Sequence, residues 1–206
     1  MRATPLPSSI AGLPVPQDAI SAEAWRWAQS TLPRYLFTHS VRSYCWGTQI
    51  AAWEGRTFDA QVLWAAALFH DVGLTRIPRN TMCFEVEGAE IARRFLEDQG
   101  MSAEAADRAA SAIILHMQPG VTPEDGIEAL LLDRATAVDV RGVEFDVIEG
   151  VRASVLRKYP RGAFDRHFLR AIRREAAVRP ACQSARLLNE SDLEGSMARS
   201  PWATAG

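Results

Sequence analysis

Lysine is nearly absent: Lys158 stands alone, and the rest of the 23 basic residues are arginine. We attach no mechanism to that bias. The 25 acidic residues bring the formal net charge to −2, and so balanced a chain has no overall field to draw in nucleic acid or an anionic membrane. Any substrate must be recognised locally. Long apolar runs are missing too; none approaches the roughly 18 residues of a membrane span. The N-terminal "MRATPLPSSIAGLPVPQ" is broken by prolines where a secretory signal needs an unbroken apolar stretch. Only three cysteines occur, Cys45, Cys83 and Cys182. They form no CxxC pair, so neither a zinc ribbon nor a redox motif is indicated, and reduced thiols in a cytoplasmic protein are expected. There is no internal repeat, no low-complexity segment and no β-alternating run of any length.

What is present is ordinary for a soluble globular chain: 206 residues, 48% apolar and 23% charged, enough for one sizeable core. The pattern divides the chain into an extended leader over residues 1–17, a helical body over 18–180 and a polar tail over 181–206. Asp18 can cap a first helix through "AISAEAWRWAQS", and Pro33 suits the first turn of a second that ends at Gly55. Asp59 caps a third helix that stops around Gly73, a fourth runs from about Phe84 to Gln99, and Ser102 caps a fifth. Thr122, Pro123 and Asp125 open a sixth helix that ends at Gly142, and two more are expected around 146–158 and 164–178. The predicted fold is all-α.

The stretch "VLWAAALFHDVGLT", residues 62–75, poses the functional question, because an apolar run ends on His70 and Asp71. Leu63, Ala66, Ala67 and His70 share one helical stripe. Tyr35, His39, Arg42 and Trp46 form a second, and Leu132, Ala135, Thr136 and Asp139 a third. Three helices thus aim imidazoles or carboxylates inward. A buried carboxylate must be paired, protonated or bound to metal. A divalent cation would satisfy all four groups, and two imidazoles with two carboxylates suit zinc, iron or manganese alike. Taken singly, an inward histidine is more often a hydrogen-bonded core residue than a ligand, and a His-Asp dipeptide is by itself weak evidence.

The order His, then His-Asp, then a distant Asp, in "FTHSVRSY", "AALFHDVG" and "ATAVDVRG", resembles the HD-domain metalloenzymes. That resemblance implies a helical bundle with a core of about five helices, and makes His39, His70, Asp71 and Asp139 the ligands of one divalent transition metal per chain, zinc first. Within the superfamily the chain is most similar to the cyanamide hydratase-like branch, through "HSVRSY", "HDVGLT", "MCFEVEGAE", "AIILHMQPG" and "RATAVDVRG". The likeness is close over about 33–142 and looser to 178.

The expected chemistry is attack by metal-activated water on a small electrophile, in this branch a nitrile carbon. Many phosphohydrolase relatives carry lysine where Leu74 and Thr75 follow Gly73 here, which weakens a phosphate reading. Arg42, Arg76 and Arg79 could supply the missing cation. Arg42 reads equally as a structural ion-pair partner. Catalytic candidates are Asp71, Glu85 and His116; substrate contacts are expected from Arg42, Thr75 and Phe84, in a pocket walled by Trp46, Phe69 and Phe84. Glu85 is either a general acid or base or a helix-start acid that answers the dipole. His116 either faces the cavity or is satisfied in the core. Carboxylates at Asp71, Asp139 and Glu85 should make small neutral substrates preferable to phosphoesters. The alternatives are a phosphohydrolase acting on a nucleotide or other phosphoester, and a ligand sensor that turns nothing over. The partner is a small molecule, not nucleic acid or membrane; an oligomer is allowed but not required.

Overall fold

The structure, a computed structural model, describes residues 4–75 and 82–204. It is all-α apart from one two-stranded hairpin. In chain order the elements are β1 (Ser9–Ile10), β2 (Leu13–Pro14), α1 (Ala19–Thr31), α2 (Arg34–Glu54), α3 (Ala60–Phe69), α4 (Phe84–Asp98) and α5 (Ala103–Leu115). They continue with α6 (Ile127–Arg141), α7 (Glu149–Lys158), α8 (Phe164–Val178), α9 (Gln183–Asn189) and α10 (Leu193–Ala198). None of these helices is long and apolar enough to cross a membrane.

Local signals set most boundaries. Asp18 accepts from the Ser21 amide at 2.8 Å, Asp59 from the Gln61 and Val62 amides, and Ser102 from the Ala105 amide. Each satisfies amides that a helix start leaves without partners. The sixth helix departs from expectation. Thr122 and Asp125 do form a capping box, but it closes a separate 3-10 turn, Pro123–Asp125. Gly126 then takes φ 112°, which no helix residue adopts, and α6 starts only after it.

The bundle is centred on α3, in which every residue from Val62 to Phe69 is buried. Helices α1, α2, α4, α5 and α6 all pack against it. Its apolar stripe is therefore not distinctive, because the whole circumference is inside. Trp25, Trp46, Trp64, Phe69 and Phe84 are among the largest enclosed side chains, and full burial of such a residue stabilises by about 1.5–3 kcal/mol.

Both ends of the chain differ from the sequence reading. The leader folds into the hairpin through Ala11 and Gly12, both at positive φ, and buries Ile10, Leu13 and Val15 on the chain's own core. Tyr44 donates its hydroxyl to the Pro14 carbonyl at 2.9 Å. The polar tail folds into α9, α10 and a 3-10 turn, with Leu193, Met197 and Trp202 buried. Trp202 donates its indole N–H to the Val138 carbonyl at 2.7 Å. Cys83 and Cys182 form a disulfide, leaving only Cys45 free. This corrects the expectation of three reduced thiols: the partners are 99 residues apart in the chain, and only the tertiary fold brings the starts of α4 and α9 together.

Candidate metal centre

The HisAsp pair sits where α3 ends. The His70 amide still closes on the Ala66 carbonyl at 3.0 Å, after which the chain turns through the 3-10 segment Val72–Thr75. A Cβ at Gly73 would collide with the Phe84 carbonyl, so glycine alone lets this turn lie against the start of α4. His39 comes from α2, and His116 follows the last residue of α5. Two helix ends and one helix side thus deliver three imidazoles to one place.

Their orientation is fixed from behind. The Nδ1 atoms of His39, His70 and His116 lie 2.7 Å from Asp139 Oδ2, 2.9 Å from the Ala67 carbonyl and 2.5 Å from the Ile113 carbonyl. An oxygen acceptor requires the proton on each Nδ1, so each Nε2 is left free to act as a donor atom toward a metal. His39 Nε2 and His70 Nε2 face each other at 3.1 Å. Asp71 Oδ2 lies 3.3 Å from the latter and 3.6 Å from the former. His116 Nε2 is 4.0 Å from Asp71 Oδ1. All four residues are almost completely enclosed.

Electrostatics point the same way. Burial raises the Asp71 carboxyl, but attraction to the adjacent His70, with help from His39 and His116, overcomes it and brings the pKa to about 2. Burial pushes His116 down to about 3, aided by the neighbouring His70 charge, and burial lowers His39 as well. His70 moves up, since the adjacent Asp71 outweighs its burial. Asp71 Oδ2 nonetheless has no hydrogen-bond partner. Ligand atoms of His39, His70 and Asp71 lie within 4.8 Å of one another. Inward-facing Nε2 atoms, an ionised carboxylate and an orphaned oxygen are what a divalent cation needs.

Asp139, expected as the fourth ligand, stands behind His39 instead. Its Oδ1 accepts from Arg42 Nε and Trp46 Nε1, each at 2.8 Å, and its Oδ2 from Arg42 Nη2 and His39 Nδ1, each at 2.7 Å. Arg161 Nη1 adds charge at 3.4 Å. Four donors occupy the acceptor sites of one carboxylate. Arg42 also donates to the Tyr159 and Pro160 carbonyls. Its fork is spent within the protein, which favours the structural ion-pair reading over a substrate contact.

A cavity of about 280 Å³ opens on the cluster and is lined by His39, His70, Asp71 and His116. The expected aromatic walls are elsewhere. Trp46 is held by Asp139, Phe69 stacks on Trp27 at 4.5 Å, and Phe84 lies 6.0 Å from the His116 ring without reaching the cavity. Thr75 donates its hydroxyl to the Val72 carbonyl at 2.7 Å and stabilises the turn. Glu85 is buried but does not line the cavity; Glu175 and Arg179 are its charged neighbours. Arg76 and Arg79 lie outside the described residues.

The sequence reading missed residues that do line it. Asp133 and Arg141 project from α6 along the line through Thr136, Ala137 and Val140, and Gln183 and Leu187 come from the tail. That α6 line follows the i, i+3, i+4, i+7, i+8 pattern of one helix face. Burial lifts the Asp133 carboxyl to about 6 against the pull of Arg141 and Arg134.

The HD domain family model matches residues 36–141, more than half of the 206-residue chain and all of α2 to α6 bar its first two residues. None of the curated proteins compared with the chain matches it.

Proposed function

The chain belongs to the HD-domain family, and from that premise we propose that it is a metal-dependent hydrolase or hydratase acting on a small carbon–nitrogen substrate of nitrile or cyanamide type. The observation that carries this reading is the convergence of three Nε2 atoms and the orphaned Asp71 Oδ2 on one small cavity. His39, His70 and Asp71 would hold the metal, zinc by first expectation, with His116 Nε2 beside them. A divalent cation held there supplies Lewis-acid activation of water near neutral pH.

The protein's own groups do the rest. Asp139 and the Ala67 and Ile113 carbonyls fix the three tautomers, so no imidazole must reorient during turnover. His116 is held neutral, and its Nε2 accepts a hydrogen bond from water or substrate in the cavity. Asp133, poised near pH 6, can take up and return a proton there. A nitrile suits a small cavity behind which two guanidiniums, Arg42 and Arg161, are committed to Asp139. A second reading, phosphoester hydrolysis, is favoured by Arg141 on the same cavity wall.

Elemental analysis and an activity panel test the proposal. About one transition metal per chain is expected, lost in Asp71→Ala, with hydration of cyanamide or a small nitrile exceeding phosphate release from phosphomonoesters in the same buffer. A metal-free purified protein that takes up none on titration refutes the metal premise. Dominant phosphate release refutes the carbon–nitrogen reading.

A further inference from the structure

Arg141 is the only cation among the described residues that line the cavity. Its guanidinium makes no hydrogen bond or ion pair with a described residue. The other arginines around the site are committed: Arg42 and Arg161 to Asp139, Arg174 to the Leu74 carbonyl, and Arg179 to Glu175 and Glu87. Asp133 is the one acid on the same face of α6, but eight residues separate the two, about 12 Å of helix rise. They feel each other's charge without pairing. A half-buried guanidinium offers five donors in a fixed fork. Here that fork is unspent and opens on the space that the metal cluster also lines.

The charge balance of the cavity permits an anion. Four carboxylates bear on it: Asp71, Asp139, Glu85 and Asp133. Of these, Asp139 is neutralised by Arg42 and Arg161, and Glu85 is outside the cavity. Asp71 and Asp133 remain, and a divalent metal together with the Arg141 guanidinium would more than offset both.

We infer that Arg141 anchors an oxyanion, so that the molecule occupying this cavity carries a carboxylate or phosphate gripped by the guanidinium while its reacting group lies against the His39–His70–Asp71 cluster. The inference rests on the reading of this cavity as the substrate site and replaces the expectation of a neutral substrate. A carboxylate would be a handle on a carbon–nitrogen substrate; a phosphate would be the reacting group itself. The cavity's volume of about 280 Å³ limits either to a small molecule.

The test uses metal-free full-length protein, so that no metal–anion bond contributes, and titrates cyanoacetate, inorganic phosphate and the neutral cyanoacetamide. Wild type should bind at least one anion roughly tenfold more tightly than cyanoacetamide. Arg141→Met should erase that difference, and Arg141→Lys, which keeps charge but not the fork, should restore part of it. Preference for cyanoacetate assigns the handle to a carbon–nitrogen substrate, and preference for phosphate assigns a phosphoester. Equal anion binding by wild type and Arg141→Met overturns the inference, as does wild type that binds neither anion. A cation in the last turn also favours the α6 dipole, but that effect alone would leave probe binding unmoved. Metal titration of the same samples separates the two claims. Metal uptake with Arg141-independent binding sinks the anchor alone, whereas Arg141-dependent binding without metal uptake sinks the hydrolase reading alone.

Discussion

Replacing Asp139 with asparagine separates an orienting carboxylate from a metal ligand. The wild-type group accepts four hydrogen bonds and faces two guanidiniums in a fully buried site. Asparagine keeps one acceptor oxygen but turns an NH₂ toward donors on its other side. Arg42, fully buried, then loses its counter-charge. Removing one partner of a buried pair costs about 3–5 kcal/mol. At about 2–4 °C per kcal/mol for a domain of this size, Tm should fall by roughly 6–20 °C. His39 loses the acceptor that fixes its tautomer, for which metal affinity typically falls about 10–100-fold. Thermal unfolding and chelator competition measure the two effects on one sample. The reasoning fails if folded Asp139→Asn protein loses metal binding altogether, since that marks a direct ligand. It fails equally if Tm and affinity both stay at wild-type values. Should the variant not fold, Asp139→Leu with Arg42→Met removes both charges together, which is often near neutral for stability, and reads metal affinity without the carboxylate.

Reduction of the Cys83–Cys182 disulfide, or Cys83→Ser with Cys182→Ser, should cost about 2–5 kcal/mol, because the bond closes a loop of about a hundred residues; thermal melts with and without reductant should differ, and superimposable melts would show that the bond does not form. The raised Asp133 carboxyl binds its proton more tightly folded than unfolded, so its contribution is full below about pH 4 and is lost as pH rises through about 6. Asp133→Asn should accordingly be more stable than wild type at pH 7, by roughly 1 kcal/mol after allowance for solvent screening, with the gap closing below about pH 4; a gap independent of pH contradicts this. Glu85 lies outside the cavity, so Glu85→Gln should keep kcat within about threefold of wild type, and a loss of roughly 100-fold, the scale of a missing general acid or base, would return it to the machinery.

Much of the fold is legible because it is written in short-range signals. Asp18, Asp59 and Ser102 cap helices through amides two or three residues away, and Gly55 and Gly142 end helices at φ 65° and 70°. These preferences depend on neighbours within one turn, so the sequence states them directly. The cluster of His39, His70 and Asp71 is legible for a related reason: charged or imidazole groups on apolar faces are costly, and their spacing puts them inside whatever the details of packing.

Other features depend on which distant surfaces meet, and helical periodicity is silent about that. Asp139 is inward as expected, yet its position behind His39 depends on Arg42, one turn along α2, whose fork grips the carboxylate there. The tail reads as polar because Leu193, Met197 and Trp202 are spaced too thinly to form a periodic face, but all three are buried, Trp202 against Trp46, Phe145 and the Val138 carbonyl. Arg141 follows the same logic. Nothing within a turn of it distinguishes an exposed helix-end cation from one on a cavity wall, and the wall exists only because α2, the turn after α3, the segment after α5, α8 and α9 meet there. Local hydrogen-bonding fixed the helices and the inward groups, whereas packing between remote segments decided where each carboxylate and guanidinium points.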